Sequence, residues 1–276
     1  MNAIELAGVV HRYPGADAPA LDGLDLAIAT GTSVALMGRN GSGKSTLLAH
    51  LVGILRPDAG RVAVGGRDTA GLRVAELARI VGVAGQDPAR QIVARRVADE
   101  VAFGPRMLGM QADACAASVA AALAATGLAE RAAENPWDLG PAERRLLALA
   151  SVLAMRTPIV VLDEPTAGLD DRERERVGGI AASSVAEGRT LLVATHDVRF
   201  AAERTERIVV LAGGRVAWDG APAGLPVAAA AGALADAGLA PPPVALLGAR
   251  LGLGPTPTDG TFAAAVRARE AGSPLA

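Results

Sequence analysis

The sequence predicts an α/β fold: a largely parallel central sheet, an antiparallel β sub-sheet beside it, a helical subdomain and a small helical C-terminal extension. Three observations carry this expectation. Short apolar runs bounded by Gly and polar clusters alternate with segments of helical periodicity along most of the chain. Between about 87 and 156 the pattern is helix on helix, without strong strand signals. After RVAWDGAP (215–222) the β-rich pattern is lost and the chain turns Ala- and Pro-rich.

The opening IELAGVVHRY, together with LDLAI (24–28) and RVAVGG, reads as the antiparallel sub-sheet. TSVALM (32–37), IVGVA (80–84), IVVL (159–162), TLLVAT (190–195) and RIVVLA (207–212) read as strands of the central sheet. Helical periodicity falls at 44–54, 112–126, 141–155 and 171–187. The tail reads as two or three short helices separated by PPP and GPTP. These boundaries give a main domain over 1–220, with its helical subdomain at about 87–156, and a helical extension over 221–276.

Composition excludes several classes. A net charge of −2 and a pI of about 6.0 give no sign of a nucleic-acid partner. The lone Cys115 leaves no internal disulfide and suits a reducing compartment. Three scattered histidines and that cysteine build no metal cluster of soft ligands. The N-terminus lacks a basic-then-apolar signal pattern, and no apolar run reaches the ~18 residues of a membrane span. A soluble chain that sits on a membrane partner is the expectation.

Of the 27 basic residues, a single one is lysine, Lys44. It lies in GRNGSGKST, which fits G-x-x-x-x-G-K-[ST] after the strand TSVALM and opens an apolar helix. Gly38, Gly41 and Gly43 let the backbone wrap a phosphate. Asn40, Ser42 and Thr46 complete the loop, and the helix N-terminus favours the anion. Lys44 supplies a compact charge to the outer phosphates that arginine does not mimic, and Ser45 offers a hydroxyl to Mg2+. The strand IVVL delivers Asp163 towards the same loop, where a carboxylate holds Mg2+. Glu164, next along, is placed to orient or deprotonate an attacking water. The central sheet is thus expected to have a P-loop (RecA-like) architecture, with ATP and Mg2+ as cofactors.

With these motifs in order, residues 3–220 resemble the ATP-binding subunit of an ATP-binding cassette (ABC) transporter. The resemblance implies further roles. Gln86 in VGVAGQDP matches the Q-loop, which reaches the metal. TAGLD matches the D-loop with Asp170, and TLLVATHD the H-loop, with His196 contacting the γ-phosphate. Tyr13 in HRYPG stands where the family stacks a ring on adenine. The run VGVAGQDPARQIVARRVADEVAFGP is similar to energy-coupling factor (ECF) transporter ATPases of vitamin or nickel and cobalt uptake, matching at Gln86, Pro88, Gln91, Asp99, Glu100 and Ala102–Pro105. The tail DAGLAPPPVALLGARLG is similar to their C-terminal extension. That branch implies a peripheral protein on the cytoplasmic face of the membrane. Its partners are a second ABC ATPase, a transmembrane coupling protein and a substrate-binding membrane protein, with Asp99 and Glu100 facing arginines of the coupling protein. The single cassette and the lack of a coiled-coil insertion set aside the translation and DNA-repair ATPases of the superfamily.

One motif departs from the pattern. ABC subunits pair head to tail, and each ATP lies between one phosphate loop and the other subunit's LSGGQ signature. Here the five positions are Leu139, Gly140, Pro141, Ala142 and Glu143. The serine hydroxyl is missing at Gly140, Pro141 has no N–H, and Glu143 brings negative charge towards a triphosphate. The same residues make a sound helix start, with Pro at the first position and Glu in the first turn. Two lost hydrogen bonds to charged oxygens, at about 1.5–3 kcal/mol each, amount to about 3–6 kcal/mol. Felt in the transition state, that slows hydrolysis by about a hundredfold or more. Arg144 and Arg145 are candidates to recover part of it. The reading is an ATPase whose own phosphate loop is intact, working in an asymmetric heterodimer. The alternatives are a nucleotide-binding structural or regulatory cassette with little hydrolysis, and an ATPase of another ABC importer class.

Overall fold

The computed structural model describes residues 1–271. Two sheets form its frame. The first is antiparallel, in the order β2-β1-β4-β5, built from β1 (Asn2–His11), β2 (Leu21–Ala29), β4 (Ala59–Val64) and β5 (Arg67–Asp68). Leu24, Leu26 and Ile28 of β2 point inward while their neighbours face solvent, the period-2 alternation of a half-exposed strand.

The second sheet runs β10-β9-β3-β8-β7-β6. It contains β3 (Ser33–Met37), β6 (Val81–Ala84), β7 (Ile159–Asp163), β8 (Thr190–Thr195), β9 (Arg207–Ala212) and β10 (Arg215–Gly220). All neighbours are parallel except β10, which returns antiparallel to β9 through Gly213–Gly214, both at positive φ as a tight hairpin needs. Strands β3 and β8 are buried at every position, so their sequences are apolar apart from Ser33, Thr190 and Thr195 at the strand ends.

The two faces of this sheet fill different cores. Val34, Leu36, Ile159, Val161, Val209 and Leu211 pack with helix α1 (Lys44–Leu51) against the antiparallel sheet. Helix α2 (Val74–Leu77) adds Leu77 to that core. On the opposite face, Val160, Leu162, Leu191 and Val193 meet a helical layer. That layer comprises α3 (Val97–Met107), α4 (Ala112–Thr126), α5 (Pro141–Ala154) and α6 (Asp171–Ala186).

Three elements differ from the sequence expectation. Helix α1 stops at Leu51 rather than 54, because Gly53 adopts a left-handed φ of 72°. Helix α3 has no counterpart among the four helices read from periodicity. Its Gly104–Pro105 pair reads as a breaker, yet Pro105 lies inside the helix near its end. Gly104 is there for packing: a Cβ on it would stand 2.7 Å from Cγ of Met155, beyond α5. Among the described residues the tail holds four helices, α8 (Leu225–Ala230), α9 (Ala233–Asp236), α10 (Pro243–Leu251) and α11 (Asp259–Glu270). With α7 (Val198–Arg204), helices α8 and α9 build a third core. There Leu225, Ala228, Leu234 and Ala237 cover Ala35, Met37, Ile208 and Val210 of the sheet. The apolar core therefore runs across the boundary drawn at 220. Residues 272–276 of the expected extension lie outside the described residues. Among the described residues, no helix is long and apolar enough to cross a membrane.

Candidate active site

The C-terminal ends of β3 and β7 open on one crevice of about 460 Å³. Its walls include Tyr13, Asn40, Gly41, Gly43, Lys44, Ser45, Thr46, Gln86, Asp163 and Glu164, each singled out from sequence. The loop between β3 and α1 needs its glycines. A Cβ on Gly38 would lie 2.5 Å from the carbonyl oxygen of Leu211, and one on Gly43 would lie 2.6 Å from that of Ala20. Gly38 and Ser42 sit behind the crevice wall, where the Ser42 hydroxyl is buried without a partner.

Lys44 is buried, and its Nζ donates to the carbonyl oxygens of Gly38 at 2.5 Å and Arg39 at 3.2 Å. Burial pulls its pKa below the ordinary lysine value, against the opposing pull of Glu164 and Asp163. The same confinement raises Asp163: burial first, then the neighbouring Glu164 charge, offset by Lys44 and Arg145. Two carboxylates and a buried ammonium held this closely are a site short of a cation on one side and of an anion on the other. Ser45, Asp163 and Gln86 are the oxygen donors on the crevice wall for a Mg2+ ion, a hard cation that takes such ligands. The glycine cradle and Lys44 suit a phosphate chain.

Glu164 occupies a left-handed backbone conformation, φ 49°, which a non-glycine residue adopts at a cost of about 1–2 kcal/mol. Its N–H donates to Ala194 O at 2.8 Å, tying the turn to β8. Its carboxylate is 10% exposed, and Oε2 accepts from Thr195 Oγ1 at 3.2 Å and from His196 Nδ1 at 2.9 Å. His196 itself is largely exposed and stands at the rim. Because the carboxylate accepts, His196 carries its proton on Nδ1 in this pair. Tyr13 places its hydroxyl 3.2 Å from Thr46 Oγ1 and leaves its ring partly open to solvent.

Arg145 and Thr195 were not read as parts of this site. Nη1 of Arg145 donates to Glu164 O at 3.0 Å and to Gln86 O at 3.3 Å, joining the acidic turn to the Q-loop. Sequence offers Arg145 as compensation for the missing signature; the structure ties it to backbone carbonyls of its own chain, behind the crevice wall. Arg144 lies over the Trp137 ring, 5.8 Å from its centroid. Asp170 is away from the crevice and caps α6, accepting from Glu173 N at 2.7 Å.

None of residues 139–143 lines this crevice. Glu143 does not present a bare charge, as sequence expected. Its Oε2 accepts from Gly140 N–H at 2.8 Å and its Oε1 from Arg131 Nη1 at 2.6 Å. A second correction concerns Glu100. It is buried, 6% exposed, and accepts from the N–H groups of Val93 and Ala94 at 2.8 and 2.7 Å. It therefore closes a turn and does not face a partner. Asp99 remains on the surface beside Arg106.

A parallel sheet that brings a phosphate loop, an acidic pair and a rim histidine to one crevice defines a P-loop nucleotide-hydrolysing domain. The ABC transporter family profile matches residues 21–167, and the chain belongs to that family as an ATP-binding, ATP-hydrolysing cassette. The cobalt import ATP-binding protein CbiO of Rhodobacter capsulatus is 40% identical over 236 residues, covering 85% of this chain and 83% of that one. A Caldanaerobacter subterraneus protein, 41% identical over 197 residues, is longer, and the chain spans 35% of it. CbiO1 of Clostridium perfringens, part of the complex CbiONQ, superposes with a TM-score of 0.72 at 29% identity, covering 80% of this chain and 89% of that one. The dimeric ABC transporter cassette MJ0796 gives 0.73 at 27% identity, with 79% and 98% covered.

Proposed function

We propose that this chain is the ATP-hydrolysing subunit of an ECF-type importer of a vitamin or transition-metal ion, acting in an asymmetric pair with a second ATPase. The observation that carries the pairing is the α5 start. Gly140 N–H, Glu143 and Arg131 satisfy one another within the chain, and Pro141 offers no donor, so this end presents no free signature to a partner's nucleotide. The crevice residues are complete by comparison. Lys44 and the loop N–H groups bind the triphosphate, and Tyr13 lies against the base. Mg2+, held by Ser45, Asp163 and Gln86, would neutralise charge on the outer phosphates. Glu164, fixed by Thr195 and His196, takes the proton of the attacking water, and His196 turns towards the γ-phosphate.

The ECF branch rests on the CbiO relatives and on the 86–105 run. Beside that run, Val93, Phe103 and Met107 are exposed apolar side chains next to Asp99, a surface that suits a membrane-embedded coupling protein. Such a chain would work at the cytoplasmic face of the membrane as a peripheral subunit. The test is steady-state phosphate release at saturating Mg-ATP, alone and with an LSGGQ-bearing partner. Slow release alone and at least about a tenfold rise on mixing is expected, equivalent to about 1.4 kcal/mol in the barrier. Vigorous hydrolysis by the chain alone would reject the asymmetric pair. No rise with any cassette partner would favour a structural or regulatory cassette.

A further inference from the structure

A second cavity, of about 480 Å³, stands apart from the nucleotide crevice. It lies between α4 and α6, beside the end of α5, and three arginines reach it from three different segments. Arg156 follows α5, Arg176 belongs to α6, and Arg189 precedes β8. Surface arginines are ordinary, but these are held in place. Arg156 adopts a left-handed φ of 53°, and its Nε donates to the buried Ser118 Oγ at 3.0 Å, which leaves both Nη atoms without a partner among the described residues. Nη1 of Arg176 donates to Thr126 O at 3.1 Å. Gly127 makes room for that guanidinium, since a Cβ there would overlap it.

Arg189 is the most informative of the three. Its side chain is 16% exposed, Nη2 is paired with Glu187 at 2.8 Å, and Nη1 is fully buried with no hydrogen-bond partner. A buried guanidinium N–H left unpaired costs about 1–3 kcal/mol, so the chain keeps this arginine in place at a cost, and its side chain lines the cavity. Three arginines against the single carboxylate of Glu187 leave a charge of two positive units facing the cavity. Ala121, Ala125 and Ile180 give the wall an apolar stretch, and Ser183 and Ser184 add hydroxyl-bearing side chains beside it.

We propose that this cavity binds a small organic dianion, a phosphate monoester or a dicarboxylate. Its charged end is clamped by Arg156, Arg176 and Arg189, and its carbon body lies against the alanine face of α4. Guanidinium forks suit either oxyanion bidentately. The site is separate from the phosphate loop and shares no residue with it.

Isothermal titration calorimetry on the full chain tests this, with Mg-ADP saturating the phosphate loop and ionic strength held constant with chloride. The probes are inorganic phosphate, glucose 6-phosphate and succinate. Saturable binding of at least one probe, one per chain, with a Kd of about 1 mM or tighter is expected. Preference for glucose 6-phosphate assigns the phosphate monoester, and preference for succinate the dicarboxylate. The double variant Arg156→Gln, Arg189→Gln should weaken binding at least about tenfold while Mg-ADP affinity stays unchanged. Arg156→Gln alone removes an exposed group and leaves the core intact; it should weaken binding at least about threefold. The proposal is overturned if no probe saturates, if binding appears only without Mg-ADP, or if both variants bind as the unmodified chain does.

Discussion

Helices α1 and α5 are the two helix starts that the proposed function sets against nucleotide, and they begin in opposite ways. Helix α1 is preceded by Gly43, with φ 107° and no side-chain cap, and its first turn contains no acidic residue. Its free N–H groups and partial positive charge stay open to an external anion. Helix α5 is preceded by Gly140, whose N–H is accepted by Glu143, and its first residue is a proline. It carries its own anion, neutralised in turn by Arg131. Displacing that carboxylate costs a cap worth about 0.5–2 kcal/mol before any phosphate bond forms. A good helix start and a good phosphate site compete for the same donors, and each helix has resolved the competition differently.

The largest test of this contrast lies on the α1 side. Lys44→Ala should weaken Mg-ATP binding by about 10- to 150-fold in equilibrium titration, since a charged hydrogen bond to phosphate is worth about 1.5–3 kcal/mol. Glu164→Gln should bind nucleotide normally and lose about 100- to 10,000-fold in turnover within the assembled pair, because the base is removed and the cradle kept. Wild-type turnover by Glu164→Gln would remove that residue from the chemistry. Next comes the α5 side. Gly140→Ser, Pro141→Gly, Ala142→Gly and Glu143→Gln together should release the helix start and raise phosphate release by the chain alone about tenfold or more. An unchanged rate would mean that these donors are not what limits the homodimer.

A smaller effect is expected from Arg145→Ala, which frees the carbonyls of Glu164 and Gln86. Turnover should drop about three- to tenfold with ATP affinity within about twofold, the pattern of a positioning residue. The smallest is thermal. The Asp163 pKa is raised in the fold, so its ionisation costs stability in full above the folded pKa, and the cost fades to nothing as pH falls from there to the unfolded value. Asp163→Asn should therefore raise the Tm of the nucleotide-free chain by about 1–3 °C near neutral pH, a gain that shrinks below the folded pKa and is gone at the unfolded one. A Tm gain that persists in acid would trace to packing rather than to the charge.

Much of this was legible because β3, β6, β7, β8 and β9 are largely apolar runs, and the chemistry sits at their ends in short motifs. Asp163 ends its strand, Glu164 and Gln86 follow theirs within two residues, and Lys44 lies one loop beyond β3, so sequence order already places them near one crevice. What escaped was whatever depends on contacts between distant segments. Arg145 reaches Glu164 from the second turn of α5, and nothing in ERRLL separates it from a solvated arginine. Arg131 meets Glu143 only after the chain between them folds back. Thr195 had a faint signal, a hydroxyl at the end of a buried strand next to His196. Glu100 was misread for the same reason: an acidic pair in sequence looks solvated until the loop at 93–94 curls over one member.

The joint between the phosphate loop and the tail has a practical meaning for anyone dissecting this chain. Arg39 N–H donates to Ala237 O at 2.8 Å, and Gly238 lies against the Arg39 side chain. A fragment ending near 220 would lose that acceptor and bare the sheet face under Met37 and Val210. The nucleotide loop would then be held from one side only, so such a fragment is no miniature of the intact protein. Affinity for ATP becomes a reporter of how well residues 225–239 are seated, and a perturbation reaching those helices from outside would be felt at the phosphates without touching a single motif.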